Sequence, residues 1–429
     1  MRLSKKLHNS FLGKSLSILR AASRASSSSE AYHDSTNTSS LDHVSYKWLI
    51  HWAQIMPKEV YSLTIGLGRI VGDTDCDVVS PSDILLLIFS LATHHASCSH
   101  DGDDDDQRVC NFFEGSWVFD DSYPLYDGSS CPFIQPSWNC QKNGRPDQTY
   151  LKYRWNPTSC HLPRFNGVEF LEKFRGKKMM FVGDSLSSNM WQSMACMLHS
   201  AVPNSNYNLT NHGRLISTLT FLEYDFSVSL SINGFLVDLL RTKEGRVLQL
   251  DSLRAANMWR GYDVLIFNSY HWWNHNGRLQ TWNYFGIGDK LIKDMDHMEA
   301  YKIALTTWSK WVDSSIDLSK TSVFYQGIAS THFKGSDWND TSAKSCAGQI
   351  EPIKGSIYPG THNPGQAIVK GVLDNMKNPV NFLDIELLTQ LRKDGHPGKY
   401  GARLDCSHWC LAGVPDTWNQ LLYASLMKK

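Results

Sequence analysis

The chain has 429 residues, enough to bury a core of one large domain or two ordinary ones. Its 42 basic and 42 acidic side chains cancel to a formal net charge of +0. This balance gives no electrostatic reason to expect binding to nucleic acid or to an anionic membrane surface.

The first quarter of the chain, residues 1–106, is predicted to be a disordered leader and linker. Residues 1–40 are Ser-rich and basic with no acid before Glu30, a pattern typical of an organelle transit peptide. The apolar run 84–94 has the length of a signal-peptide core, and the acidic stretch 101–106 follows it. We interpret the early residues as an extension of the gene model and assign secretion to the apolar run. The alternative is a buried helix or strand of a genuine N-terminal domain.

Two further regions follow the leader. Residues 107–165 are dense in Cys, Pro, Gly and aromatic residues, which predicts an irregular, disulfide-tied segment that wraps a core. Residues 166–429 alternate between strand and helix patterns, which predicts an α/β core, a three-layer α/β/α sandwich with a mostly parallel sheet. Strands are predicted at 178–182, 226–231, 235–240, 263–267, 322–326 and 379–383, and helices at 187–199, 295–313, 365–377 and 417–427.

A Gly-Asp-Ser-Leu motif stands where the strand 178–182 ends and the helix 187–199 begins. A serine on such a turn has its hydroxyl lifted from the sheet edge and its N–H at a helix N-terminus, which suits a nucleophile that helps to bind an oxyanion. The motif therefore indicates Ser185 as a nucleophile. The alternative is a tight turn in which the serine only caps the helix.

Near the C-terminus, Asp405 precedes His408 by three residues. Residues at this spacing on a helical turn share one face, so the carboxylate can fix the imidazole tautomer while the other ring nitrogen accepts the serine proton. The order Ser185, Asp405, His408 predicts a catalytic triad. A structural disulfide loop with an incidental histidine is the alternative, because Cys406 and Cys410 flank the imidazole.

Two other histidines are weaker candidates. His396 lies in the turn 394–397 and is a second candidate base, ranked below His408 because His408 brings its own carboxylate. His332 follows the predicted strand 322–326 and either lines an acceptor groove or is a satisfied surface side chain.

The ten cysteines include no Cys-x-x-Cys pair, which argues against a zinc site, and no metal is predicted. Eight of them lie from Cys110 onward, an even number that fits an oxidising compartment, although spacing alone leaves their connectivity open. Glycosylation acceptor patterns begin at Asn208 and Asn339, which also fits secretion.

Fifteen Trp residues are present, and most must pack in a core. Trp272 and Trp273 stand beside the polar Asn268 and His271. This neighbourhood favours a cleft wall for a sugar ring, with His271, Trp272 and Trp273 as tentative substrate-binding residues. Ordinary core packing of this pair is the alternative.

Taken together, these motifs resemble the plant trichome-birefringence-like family, polysaccharide O-acetyltransferases with a core like that of SGNH hydrolases. The resemblance is carried by CNFFEGSW at 110–117, YRWNP at 153–157, FVGDSLS at 181–187, NSYHWW at 268–273, DCSHWC at 405–410 and LAGVPDTWN at 411–419. After FVGDSLS the family often has Arg or Leu, then Asn and Gln, where this chain has Ser188, Asn189 and Met190; it departs again at Ser269 and Tyr270. These departures bear on the acceptor pocket and leave the predicted triad intact.

The resemblance implies further roles. Asn268 matches the SGNH asparagine whose side-chain amide joins the Ser185 N–H in holding the oxyanion. No cofactor is expected, but an acetyl donor is needed as co-substrate. The implied disulfides are Cys110–Cys160, Cys131–Cys196, Cys140–Cys410 and Cys346–Cys406.

The expected function is therefore transfer of acetyl groups to hydroxyls of a cell-wall polysaccharide of the xylan or pectin type, through an acetyl-serine. The first alternative is a pectin acetylesterase that uses the same triad with water, and the second is a non-catalytic wall-binding protein. The expected location is the Golgi, reached through an N-terminal membrane anchor or signal, with secretion to the cell wall as the alternative.

Overall fold

A computed structural model of the protein describes residues 110–213 and 216–428. The predicted leader 1–106, with its apolar run 84–94, lies outside the described residues. The strands are β1 Gly115–Phe119, β2 Tyr153–Pro157, β3 Lys178–Gly183, β4 Tyr207–His212, β5 Ile216–Phe221, β6 Phe226–Ile232, β7 Asp238–Arg241, β8 Arg246–Gln249, β9 Val264–Phe267, β10 Tyr284–Ile287, β11 Lys290–Ile292, β12 Ser322–Gln326 and β13 Asn381–Leu383. The helices are α1 Gly167–Lys173, α2 Ser185–Ala201, α3 His297–Ser315, α4 Pro364–Leu373, α5 Glu386–Gln390 and α6 Val414–Met427.

The central sheet has seven strands in the order β13-β12-β9-β3-β6-β5-β4. Its middle strand β3 is buried on both sides, as its unbroken apolar sequence dictates. Met179 and Phe181 contribute to one apolar cluster together with α1, α2 and α6. Met180 and Val182 contribute to a second cluster with α3 and α4. Helices therefore cover both faces of the sheet.

The expectation of a mostly parallel sheet is not confirmed, because the sheets are mixed. From β13 to β6 the neighbouring strands of the large sheet are parallel, whereas β6, β5 and β4 are antiparallel. A second sheet, ordered β11-β10-β8-β7, contains both kinds of pairing. Short connections between β4, β5 and β6 leave no room for the crossover helix that parallel strands need.

Several local predictions differ from the structure. The predicted strand 235–240 is wrong in its first half, because β7 begins at Asp238 and belongs to the second sheet. Of the predicted segment 107–165, the described part from Cys110 onward is less irregular than expected, since β1 pairs with β2 and places Trp117 opposite Trp155. Within the described residues, no helix has both the length and the apolar character to cross a membrane.

Cys131–Cys196 and Cys140–Cys410 fasten the wrapping segment to the core. The structure contains Cys110–Cys160, Cys131–Cys196, Cys140–Cys410 and Cys346–Cys406, the pairs that the family resemblance implied. Of these, Cys140–Cys410 ties the wrapping segment to the C-terminal region across 270 residues of sequence.

A buried carboxylate also joins three parts of the fold. Asp416, in the first turn of α6, accepts hydrogen bonds from Ser193 Oγ at 2.6 Å, from the Tyr126 hydroxyl at 3.2 Å and from the Gly413 N–H at 2.8 Å. Burial raises the pKa of Asp416 to about 7, and the hydrogen bonds oppose this shift without cancelling it.

This raised pKa makes stability depend on pH. Between about pH 4 and about pH 7 the folded protein holds a proton on Asp416, whereas the unfolded chain does not. The contribution of this proton to the unfolding free energy is therefore complete below about pH 4 and is lost as pH rises through about 7. We expect the unfolding free energy of the wild type, relative to that of Asp416→Asn, to fall by about 1–3 kcal/mol between about pH 5 and about pH 7.5 in urea titrations. A difference that stays constant over this range would show that Asp416 is ionised throughout.

Candidate active site

Ser185 lies at the junction of β3 and α2, at the carboxyl edge of the parallel strands. The residue before it, Asp184, is the N-cap of α2, and its Oδ1 accepts the Leu186 N–H at 2.8 Å. Because Ser185 is the first residue of the helix, its backbone N–H has no carbonyl acceptor within α2. This N–H therefore points out of the positive end of the helix beside the serine hydroxyl.

The C-terminal loop brings an imidazole to this hydroxyl. His408 Nε2 lies 2.7 Å from Ser185 Oγ, and His408 Nδ1 lies 2.7 Å from Asp405 Oδ2. Asp405 Oδ1 also accepts the His408 N–H at 3.0 Å, so the carboxylate fixes both the backbone and the ring of the histidine. The three side chains thus form one continuous chain of hydrogen bonds.

Asp405 is electrostatically suited to this position. Burial alone would raise the pKa of its carboxyl, but hydrogen bonds from the ring and backbone of His408 and from Ser407 outweigh burial and hold this pKa well below its usual range. An ionised Asp405 accepts the Nδ1–H of His408, which leaves Nε2 free to accept a proton from Ser185 Oγ.

Asn268 directly follows β9 and is buried beside the serine turn. Its Oδ1 lies 3.4 Å from the backbone nitrogen of Asp184 and 3.5 Å from Ser187 Oγ, both of which donate to it. These contacts orient the amide so that its nitrogen faces away from them. Within residues 110–213 and 216–428, no acceptor pairs with Asn268 Nδ2, so this group remains available to a developing oxyanion.

The loop that carries His408 is fixed on several sides. Asn189, one turn after Ser185 in α2, exchanges two hydrogen bonds with the backbone of Trp409, at 2.8 Å and 3.1 Å. The disulfides Cys346–Cys406 and Cys140–Cys410 flank the loop. The imidazole is therefore placed by its neighbours on both sides along the chain as well as by Asp405.

The two weaker histidine candidates lie behind this loop. His396 is buried, and its Nδ1 donates to the carbonyl oxygen of His408 at 2.7 Å, so it supports the loop and does not face Ser185. His332 is fully buried; its Nδ1 lies 2.7 Å from His396 Nε2, and its Nε2 donates to the Gln390 carbonyl oxygen at 2.9 Å. The predictions that His332 lines a groove or lies on the surface are therefore both wrong. Burial lowers the pKa of both rings, to about 4 for His332.

The predicted substrate-binding residues divide into two groups. Trp273 is fully buried, with its Nε1–H on Ser269 Oγ at 3.0 Å, so the prediction of a cleft wall is wrong for this residue. Trp272 is half-buried against the turn at Gly234. His271 is also half-buried; its N–H donates to Asp184 Oδ2 at 3.4 Å, and burial lowers the pKa of its ring. Of these three residues, Trp272 and His271 keep a partly exposed surface and Trp273 does not.

Comparison with known proteins agrees with this geometry. Residues 162–425 match the GDSL/SGNH-like acyl-esterase family found in Pmr5 and Cas1p, and residues 108–161 match the PMR5 N-terminal domain. The chain is 53% identical over 354 residues to protein trichome birefringence-like 42 of Arabidopsis thaliana. This alignment covers 80% of this chain and 97% of that protein. The chain belongs to the trichome birefringence-like family.

Other members of the family are also similar. Protein trichome birefringence-like 41 of the same plant is 54% identical over 345 residues, covering 79% of this chain and 94% of that protein. Protein trichome birefringence-like 6 is 39% identical over 355 residues, covering 77% and 74%. The family resemblance inferred from the motifs is therefore confirmed, and with it an SGNH-like acyl-esterase domain.

Sequence reasoning did not find every residue that shapes this site. It missed Asp184 as the helix cap, although an aspartate directly before a helical pattern is a recognised N-cap signal. It also missed the role of Asn189, which stands four residues after Ser185 and so on the same helix face. The contact of Trp138 with His408 joins distant parts of the chain, and no local pattern indicates it.

Gly183 gives a direct test of the packing behind the site. A Cβ at this position would lie 2.3 Å from the backbone oxygen of Asn268 and 2.5 Å from Ser187 Oγ. We expect Gly183→Ala to force β3 and β9 apart at this edge and to lower the unfolding free energy by about 1–3 kcal/mol, measured by thermal or urea unfolding.

Gly371→Ala is the matched control. A Cβ at this position, on α4, would meet nothing within 4 Å. This change should be neutral or should stabilise by up to about 1 kcal/mol, because alanine favours a helix. Equal unfolding free energies for the two variants would contradict the tight contact between Gly183 and Asn268.

Proposed function

We propose that this protein is an O-acetyltransferase that moves an acetyl group to hydroxyls of a plant cell-wall polysaccharide, of the xylan or pectin type, through an acetyl-serine. Its framework in this proposal is a three-layer α/β/α core of the SGNH type. The observation that carries the proposal is the continuous set of hydrogen bonds from Asp405 through His408 to Ser185, with both side-chain contacts at 2.7 Å. Such a set activates a serine hydroxyl for attack on an acyl carbon.

In the first half of the reaction, Ser185 Oγ attacks the carbonyl carbon of the acetyl donor while His408 Nε2 takes the hydroxyl proton. The carbonyl oxygen becomes negatively charged and is held by the Ser185 N–H and by Asn268 Nδ2. Collapse of this intermediate breaks the bond to the donor group, which leaves with the proton from His408. The enzyme now carries an acetyl ester on Ser185.

In the second half, a sugar hydroxyl occupies the place that the leaving group has vacated. His408 removes its proton as the sugar oxygen attacks the acetyl carbon, and the same two donors hold the second oxyanion. Expulsion of Ser185 Oγ, which regains its proton from His408, releases the acetylated sugar. No cofactor takes part in these steps, and the acetyl donor is a co-substrate.

The residues proposed to contact the sugar acceptor are chosen because they lie near the serine turn. Trp272 offers a half-buried ring near the serine turn, and aromatic faces suit the C–H faces of sugars. His271 donates its Nε2–H to the Ala329 carbonyl at 3.1 Å, which leaves its Nδ1 as an acceptor for a sugar hydroxyl.

A second candidate function is a cell-wall polysaccharide acetylesterase, in which water replaces the sugar hydroxyl in the second half. The description of the matching family as acyl-esterases favours this candidate. Both candidates use the same residues, because they differ only in which nucleophile reaches the acetyl-serine. A non-catalytic wall-binding role gives no reason for the intact hydrogen bonds among Asp405, His408 and Ser185.

The deciding experiment incubates the full-length secreted protein with a soluble aryl acetate and xylan or pectin oligomers, and follows the oligomers by mass spectrometry. We expect oligomers to gain acetyl groups with the wild type. Ser185→Ala, His408→Ala and Asp405→Ala should each lose this activity. The triple variant should be little worse than Ser185→Ala, because the three residues act as a unit.

Two results would change the proposal. Loss of acetyl groups from pre-acetylated oligomers, without any gain, would establish the esterase in place of the transferase. Near-normal transfer by a folded Ser185→Ala protein would exclude the acetyl-serine from both candidates.

We place the protein in the Golgi, with secretion to the cell wall as the alternative. Four disulfides support an oxidising compartment. Asn208 and Asn339, the first residues of the two acceptor patterns, are exposed. A fluorescent fusion should therefore reach the Golgi or apoplast and lose mass on treatment with an N-glycosidase. Import into plastids or mitochondria without any glycan would contradict this assignment.

A further inference from the structure

The wrapping segment places an indole ring on the imidazole of the proposed triad. Trp138 is the last residue of a 3-10 turn, Pro136–Trp138, and is 3% exposed. Its ring centroid lies 5.2 Å from that of His408, with the two ring planes 30° apart. The His408 side chain retains 25% exposure, so the indole covers part of the imidazole and the rest remains accessible.

Trp138 is held in this position from both sides along the chain. Its carbonyl oxygen accepts the Leu411 N–H at 3.0 Å, and two residues later Cys140 is bonded to Cys410. Asn143 Nδ2 donates to the carbonyls of Pro136 and Tyr400, both at 2.7 Å. The indole therefore belongs to a segment that is bonded to the chain on either side of the loop of residues 405–410.

The hydrogen bonds of His408 do not by themselves fix its ring plane. In the acetyl-enzyme, Ser185 Oγ has no proton to donate, so the bond to Asp405 alone restrains rotation of the ring about its Cβ–Cγ bond. The indole of Trp138, in contact with the imidazole, restricts this rotation. The electron-rich face of an indole within about 6 Å of a cation also attracts it, here the imidazolium that forms when the serine proton is transferred.

We propose that Trp138 is a positioning residue for acyl transfer: it holds the His408 ring in the plane that reaches both Asp405 and Ser185, and it stabilises the imidazolium. This inference rests on the proposed function of the triad. If it is correct, the wrapping segment contributes to the chemistry of the active site and does not only pack against the core.

The test compares Trp138→Leu, which removes the aromatic face, with Trp138→Phe, which keeps one. The full-length protein is reacted with a fluorophosphonate that labels activated serines, and acetyl transfer from an aryl acetate is measured in parallel. We expect Trp138→Leu to lower the labelling rate and kcat about ten- to a hundredfold, with KM for the donor changed less than about threefold. Trp138→Phe should recover most of this loss.

Trp117→Leu is the matched control. Trp117 is another buried indole of the wrapping segment, and it packs against Trp155 instead of His408. Its loss should lower thermal stability but leave kcat of the folded protein unchanged.

If Trp138→Leu does not fold, Trp138→Met replaces it, because methionine fills irregular apolar space without an aromatic face.

Proton NMR gives a second readout that needs no reaction. The Nδ1–H of His408, hydrogen-bonded to Asp405, should give a downfield signal in the wild type and in Trp138→Phe, and this signal should weaken or exchange rapidly in Trp138→Leu. Equal rates and equal signals for the Leu and Phe variants would overturn the inference. A wild type that is neither labelled nor active would refute the proposed function, and the NMR signals would still decide the positioning role.

Discussion

The site depends on one constraint: the loop of residues 405–410 must be held against the first turn of α2. The two atoms that must meet, His408 Nε2 and Ser185 Oγ, belong to residues 223 positions apart in the chain and lie 2.7 Å apart in the structure. A hydrogen bond between partly exposed side chains contributes only about 0.5–1.5 kcal/mol, too little to order a loop of this length. The rest of the fold has to supply that order.

It does so through groups that take no part in the proposed chemistry. Asn189 binds the backbone of Trp409 from α2, His396 binds the carbonyl of His408 from behind, and two disulfides flank the loop. Trp138 adds a ring contact with the imidazole itself, with the two centroids 5.2 Å apart. Fixing a catalytic group within a fraction of an ångström requires such a supporting shell, so the buried histidines and the wrapping segment belong to the account of function.

Local signals in the sequence were sufficient for part of this picture. The strand and helix around Gly183 and Ser185, the Asp405 and His408 pair and strand β12 of the large sheet follow from short patterns. The family resemblance supplied the disulfide pairs and Asn268. Non-local features did not follow: the β1–β2 pairing, the antiparallel strands β4 and β5, and the burial of Trp273 and His332. Each of these depends on which distant segment packs against the residue, and composition alone favoured an exposed role for aromatic and histidine side chains beside polar neighbours.

The most direct test of the account is to look for the acetyl group on the enzyme. The full-length protein is mixed with an aryl acetate in the absence of any acceptor, quenched in acid, digested and analysed by mass spectrometry. The account predicts one acetyl group on the peptide that contains Ser185, absent from Ser185→Ala and discharged when acceptor oligomers are added before the quench. Transfer to oligomers without any acetyl on Ser185, or with acetyl on another residue that turns over at the rate of transfer, would contradict it.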